Sequence, residues 1–222
     1  MTPDSPLFDD RTAAGRALAA VLVDRRPRPS IVYGLPRGGV PVAFEVAKAL
    51  GAPLDLALAR KIGAPGAPEL AIGAVVDGEH PHRVLNADLA RATGADEAFI
   101  ARESQRAWAE LERRRALYLR GRPSPDPKGK TVVVVDDGLA TGATAMAAVD
   151  GLRARGAARV ILAAPVAPPQ AAASLRERVD ELVCLAEPPG FQGVGQFYRD
   201  FHQLTDEEVL ALLDRAEANA RR

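Results

Sequence analysis

The stretch from Thr131 to Thr144 reads Thr-Val-Val-Val-Val-Asp-Asp-Gly-Leu-Ala-Thr-Gly-Ala-Thr, and it restricts the fold more than any other part of the chain. Four consecutive valines, Val132 to Val135, are β-branched and apolar on both faces. Such a run predicts a strand covered on both sides, as in the middle of a parallel sheet. Asp136 and Asp137 follow where that strand emerges at its C-terminal edge. A small-residue turn comes next, and Ala143 to Arg155 reads as a helix. The turn and the helix start offer free N–H groups and a positive dipole end, which suit a phosphate. Thr141 and Thr144 add hydroxyl donors, and Gly142 allows close approach of the backbone. The two aspartates would repel a phosphate. They suit sugar hydroxyls, or a Mg²⁺ ion met directly or through its water shell. The layout as a whole fits a phosphorylated sugar.

Strands and helices alternate on either side of this motif. A helix capped by Asp9 or Asp10 runs to about Asp24 and ends before Pro27 and Pro29. Ser30 to Gly34 is a short strand, followed by the loop Gly34-Leu-Pro-Arg-Gly-Gly and a helix from about Pro41 to Gly51. Pro53 to Ala59 is the next strand. Beyond the motif, strands are expected at Arg159 to Pro165 and at Glu181 to Leu185, with a helix from Pro168 between them. Strands that alternate with helices imply a parallel α/β sheet with helices on both faces.

Three further segments carry candidate function. In the loop after the first strand, Gly38 and Gly39 free their amides to surround an anion, and Arg37 adds a fixed positive charge. Residues 54–85 read as an extended flap. Its Gly/Pro-rich part after Arg60 and Lys61 is expected to be exposed, with a turn at Asp77-Gly78 and exposed His80 and His82. Asp96 to Leu119 is a long amphipathic helix with Trp108 on its apolar face. Residues 186–222 combine irregular backbone with Phe191, Phe197, Tyr198 and Phe201, and Thr205 with Glu208 forms a capping box for a last helix. The aromatic residues either grip a ligand by stacking or pack that helix onto the sheet.

The motif at 132–144 resembles the phosphoribosyl pyrophosphate (PRPP) motif of type I phosphoribosyltransferases, matching strand, acidic pair and phosphate loop without a gap. The resemblance covers roughly Ile31 to Leu185. It implies a single domain, 1–222, with a core at about 31–185, a flexible flap at 54–85 and a C-terminal hood at 186–222. It implies PRPP and Mg²⁺ as ligands. By the same resemblance Ala140, Thr141, Gly142, Ala143 and Thr144 hold the 5′-phosphate. Asp136 and Asp137 hold the ribose hydroxyls and the metal, directly or through water. Arg37, Gly38, Gly39, Arg60 and Lys61 hold the pyrophosphate, and Lys61 joins the acidic pair in catalysis. Phe191, Phe197 and Tyr198 belong to the hood over a small nitrogen nucleophile. Purine-type members often carry an acid where this chain has Ala140, and uracil-type members a proline where it has Asp137, so the acceptor stays open. The alternative reading is a PRPP- or nucleotide-sensing protein that uses the same fold without turnover.

Composition narrows the partners. The 29 basic and 29 acidic residues balance, so no charge excess points to nucleic acid or an anionic membrane, and no helix-turn-helix is visible. No apolar run approaches the roughly 18 residues that span a bilayer. No signal peptide is read at the N-terminus, and the single cysteine, Cys184, fits a reducing cytoplasm. A homo-oligomer is compatible with all of this.

Overall fold

The computed structural model describes residues 6–25, 31–76, 82–122 and 124–220. Its elements are α1 (Arg11–Arg25), β1 (Ile31–Gly34), α2 (Gly39–Leu50), β2 (Leu54–Leu56), β3 (Ala59–Ala64), β4 (Ala67–Val76), β5 (His82–Leu85), α3 (Ala87–Ala92), α4 (Glu97–Leu119), β6 (Thr131–Val135), α5 (Ala143–Ala154), β7 (Arg159–Val166), α6 (Pro169–Arg176), β8 (Glu181–Ala186) and α7 (Asp206–Ala220). The first five residues, Pro27, Pro29, the Asp77-Gly78 turn and His80 lie outside the described residues.

Five parallel strands form the main sheet in the order β2-β1-β6-β7-β8. The valine run is its central strand, and the valines alternate between two cores as a strand requires. Val132 and Val134 face Met146, Val149 and Leu152 of α5 and Leu175 of α6. Val133 and Val135 face Leu18 and Leu22 of α1 and Val42 and Val46 of α2. All four valines are fully buried, and each such burial stabilises the fold by about 1.5–3 kcal/mol. This is the α/β architecture with helices on both faces that the valine run and the alternation of elements imply.

Helix ends follow the local chemistry. Asp10 accepts from the Ala13 amide at 2.7 Å and Asp96 from the Phe99 amide at 2.7 Å. Thr205 and Glu208 bond each other's amides at 2.7 and 3.2 Å, a complete capping box. Gly51 closes α2 with φ +62°. Cys184 is half-buried, its thiol donating to the Ala186 carbonyl at 3.2 Å, and burial pushes its pKa up to about 11. No helix among the described residues is long and apolar enough to cross a membrane.

The segment 54–85 is divided between two sheets. β2 joins the main sheet, and β3, β4 and β5 form a separate three-stranded antiparallel sheet. Ile62, Ala64, Ile72 and Val75 are buried there, in one cluster with Leu111 and Tyr118 of α4 and Val209 and Leu213 of α7. Among the described residues of the segment, Arg60, the turn at Gly66, Ala67 and Pro68, Leu70 and Arg83 are exposed. The glycines and prolines mark the turn, while isoleucines on either side give the sheet an apolar face. Trp108 packs half-buried against the same cluster.

Candidate active site

The acidic pair lies where β6 leaves the sheet. The Asp136 amide donates to the Ala163 carbonyl of β7 at 3.2 Å, and Asp136 Oδ1 accepts from the Asp137 amide at 2.9 Å. β1 is the neighbour of β6, with Gly34 opposite Val135, so the loop after β1 emerges beside the acids. The Leu35 amide donates to the Val135 carbonyl at 2.9 Å, and the Pro36–Arg37 peptide is cis.

Two glycines are demanded by this approach rather than by turn geometry. A Cβ on Gly38 would stand 2.0 Å from Asp137 Oδ2, and one on Gly39 would stand 2.6 Å from the Val135 carbonyl oxygen. Both distances are far inside van der Waals contact, so only glycine lets the loop lie against the acids.

The phosphate-loop residues sit at the start of α5. Gly142 precedes the helix with φ +71° and makes no side-chain cap, and the first turn carries no acid. Its free N–H groups and dipole are left for an outside anion. Ala140, Thr141 and Thr144 are exposed, and the Thr141 hydroxyl accepts from the Ala143 amide at 3.3 Å.

Arg11, which sequence reasoning passed over, completes the centre. From the first turn of α1 its Nε donates to Asp137 Oδ2 at 2.8 Å. One Nη donates to the His202 carbonyl at 2.9 Å, and the guanidinium lies 3.9 Å from the centre of the Phe201 ring. Only 8 % of Arg11 is exposed. The Tyr198 hydroxyl donates to the Asp137 carbonyl at 2.6 Å. Burial, and then the Asp137 charge, raise its pKa. Burial first, and then the charge on Asp137, also hold the Asp136 carboxyl well above the usual carboxylate range.

Arg37 is 3.8 Å from Asp206 at the start of α7, and the Tyr118 hydroxyl donates to the same carboxylate. Burial and that carboxylate push Tyr118 up to about 12. Arg11, Arg37, Gly38, Asp136, Asp137 and Thr144 share an open cleft of ≈ 420 Å³ with Phe201 and His202.

The other expected site residues are placed differently. Arg60 lines a small cavity with Leu35, Pro36, Arg114 and Thr144. Lys61, one residue on, projects from the opposite face of β3 and lines neither that cavity nor the cleft. Phe197 and Tyr198 are buried with Ala14 and Val166, and Phe8, Phe191 and Phe201 pack on them. The rings of Phe191 and Phe197 stand 5.3 Å apart. Phe197 and Tyr198 therefore pack the segment onto the fold and have no open face for a stacked ligand. Phe201 is the aromatic residue that reaches the cleft.

Among the described residues no group of three or more His, Cys, Asp or Glu converges to hold a metal. The cleft has two carboxylates, one already paired with Arg11. This donor set fits a Mg²⁺ ion that brings most of its own oxygen ligands, and not a cage built by the protein.

A model of the phosphoribosyl transferase domain matches residues 9–201. A protein of Mycobacterium tuberculosis (strain H37Rv) named "Putative phosphoribosyl transferase Rv0571c" is 51% identical over 210 residues, which are 95% of this chain and 47% of that protein. A protein of the same description from strain CDC 1551 / Oshkosh matches equally. The chain spans about half the length of these curated relatives. The crystal structure of TT1426 from Thermus thermophilus matches with a TM-score of 0.85 at 46% identity, over 93% of this chain and 97% of that one. With acidic pair, glycine loop and uncapped helix start gathered at one sheet edge, the chain belongs to the phosphoribosyl transferase domain family.

Proposed function

We propose that the chain transfers the phosphoribosyl group of PRPP to a small nitrogen nucleophile and releases pyrophosphate. The observation that carries this reading is the meeting of Asp136 and Asp137 with the Gly38–Gly39 loop and with Thr144 in the first turn of α5 around one cleft. The 5′-phosphate lies on the amides and hydroxyls of 140–144. The ribose hydroxyls face the acidic pair, and the pyrophosphate lies over Arg37 and the Gly38 and Gly39 amides, with Arg60 at the side. A bound Mg²⁺ would neutralise pyrophosphate charge, and Asp136, which unlike Asp137 is not paired with Arg11, would serve its water shell.

As the bond from C1′ to pyrophosphate lengthens, positive charge grows on the sugar. The chain's part is to hold the two phosphate ends apart, to place carboxylate charge beneath the ribose and to accept the charge of the leaving group. The nucleophile enters on the side bounded by Phe201 and His202.

A PRPP-binding regulator is the second reading, favoured by the position of Lys61 away from the cleft. Pyrophosphate release from Mg²⁺·PRPP, measured with a panel of nucleobases and then a small-molecule extract, separates the two. Release that depends on one added compound supports transfer, and no release above the protein-free blank, with PRPP still bound, supports the regulator.

A further inference from the structure

We infer that Arg11 is the built-in counter-cation of Asp137 and keeps the acidic pair from binding a free divalent ion. A metal then enters the cleft only together with a substrate that supplies its own oxygens. The inference rests on the proposed reaction for the identity of that substrate alone; the competition between Arg11 and a metal at Asp137 stands without it.

Two adjacent carboxylates at a sheet edge are the ordinary beginning of a divalent-cation site. Here the position beside Asp137 Oδ2 is already taken by a guanidinium at 2.8 Å. Three separate contacts hold that guanidinium: Asp137, the His202 carbonyl and the face of Phe201. It is also nine-tenths buried, so solvent screens the pair little and the arginine does not swing away easily.

Among the described residues no other cation pairs with either acid. Arg37 is engaged by Asp206, and the His202 ring lies between Asp200 and Glu208. Gly38 closes the remaining side of Asp137 Oδ2, where even a methyl group would stand 2.0 Å away. A divalent ion approaching Asp137 Oδ2 meets the positive charge of Arg11 while Arg11 stays. An incoming sugar bearing hydroxyls and phosphates can meet the two acids from the cleft they line without displacing Arg11.

The test is a Mn²⁺ titration of the metal-free protein, followed by water-proton relaxation. The wild type should bind Mn²⁺ no better than Asp137→Asn. Arg11→Met, which keeps the volume and removes the charge, should bind at least about tenfold tighter, and adding Asp137→Asn should abolish the gain. Arg11→Lys, which restores a cation, should return to wild-type behaviour, an outcome that a purely structural role for Arg11 does not produce. Equal Mn²⁺ affinity in the wild type and folded Arg11→Met would overturn the inference. If Arg11→Met does not fold, the wild type decides: binding of Mn²⁺ alone that Asp137→Asn removes would also overturn it. A parallel PRPP titration keeps the two proposals apart, because failure to bind PRPP removes the proposed reaction and leaves the Mn²⁺ comparison intact.

Discussion

The Tyr198 hydroxyl donates to the backbone carbonyl of Asp137 at 2.6 Å, tying the aromatic C-terminal segment to the acid at the centre of the cleft. The ring is buried against Phe8 and Phe201, so no water replaces the lost donor when the hydroxyl is removed. Tyr198→Phe should destabilise the fold by about 1–2 kcal/mol, read as a lower urea midpoint with an unchanged slope. PRPP affinity should fall with it, because the backbone under Asp137 loses its restraint.

Gly38 and Gly39 differ in what their substitution meets. In Gly38→Ala the methyl group strikes the carboxylate of Asp137, a side chain that can turn aside. The fold should survive with a loss of about 1–3 kcal/mol, and PRPP binding by calorimetry should weaken at least tenfold as the acid rotates. In Gly39→Ala the obstacle is the Val135 carbonyl in the central strand. That variant should be the less stable of the two in a thermal melt.

Asp137→Asn leaves a nine-tenths buried guanidinium without its counter-charge. Breaking a buried pair in this way costs about 3–5 kcal/mol, and the melting temperature should fall clearly. Turnover should fall as well. Intact PRPP affinity and turnover in this variant would remove Asp137 from the proposed site.

Asp136 predicts the opposite sign. Its folded-state pKa is raised, by burial and by the charge of Asp137, so its ionisation opposes folding once pH rises above the ordinary carboxylate range. Asp136→Asn keeps an oxygen for the Asp137 amide and removes that charge. It should be more stable than the wild type at neutral pH by on the order of 1 kcal/mol, with the advantage vanishing in acid, while PRPP turnover is lost. Equal stability at neutral pH would show that the acid is well solvated.

His202 gives a pH signature. Asp200 first, and then Glu208, raise its pKa, so its contribution to stability is complete below the ordinary histidine range and is lost as pH rises through the folded value. The same pairing lowers Asp200, along with the His202 amide. The Thr205 amide first, and then His202, lower Glu208. Those two contributions are present above the usual carboxylate range and fade as pH falls through the depressed values. Proton NMR of the His202 ring should show the raised titration, and Asp200→Asn should bring it down.

The central part of this molecule was legible because its signals are local. Four valines in a row, an acidic pair and a glycine turn lie within a span of fourteen residues, and the helix starts at Ala13, Phe99 and Glu208 are fixed by caps three residues away. Arg11 left no such trace. It is 126 positions from Asp137, and one arginine at the start of a helix ordinarily faces solvent. The Arg37–Asp206 and Tyr118–Asp206 links are long-range too, the second spanning 88 positions. The strand Ala59–Ala64 is hard to read in sequence because alanine, glycine and charged residues carry little strand propensity. Only with α4 and α7 in place do Ile62 and Ile72 show what they bury against.

The segment around Phe8 pairs with the segment around Tyr198: the Phe8 amide donates to the Phe197 carbonyl and the Arg199 amide to the Phe8 carbonyl. Arg11 then continues that seam to His202 and the acidic pair. During synthesis the central strand is made long before the partners of Phe8 and Arg11 at 197–202 have left the ribosome. The cleft is therefore assembled only after the main sheet is complete, and a nascent chain stalled before residue 197 should hold a formed parallel sheet and no PRPP site.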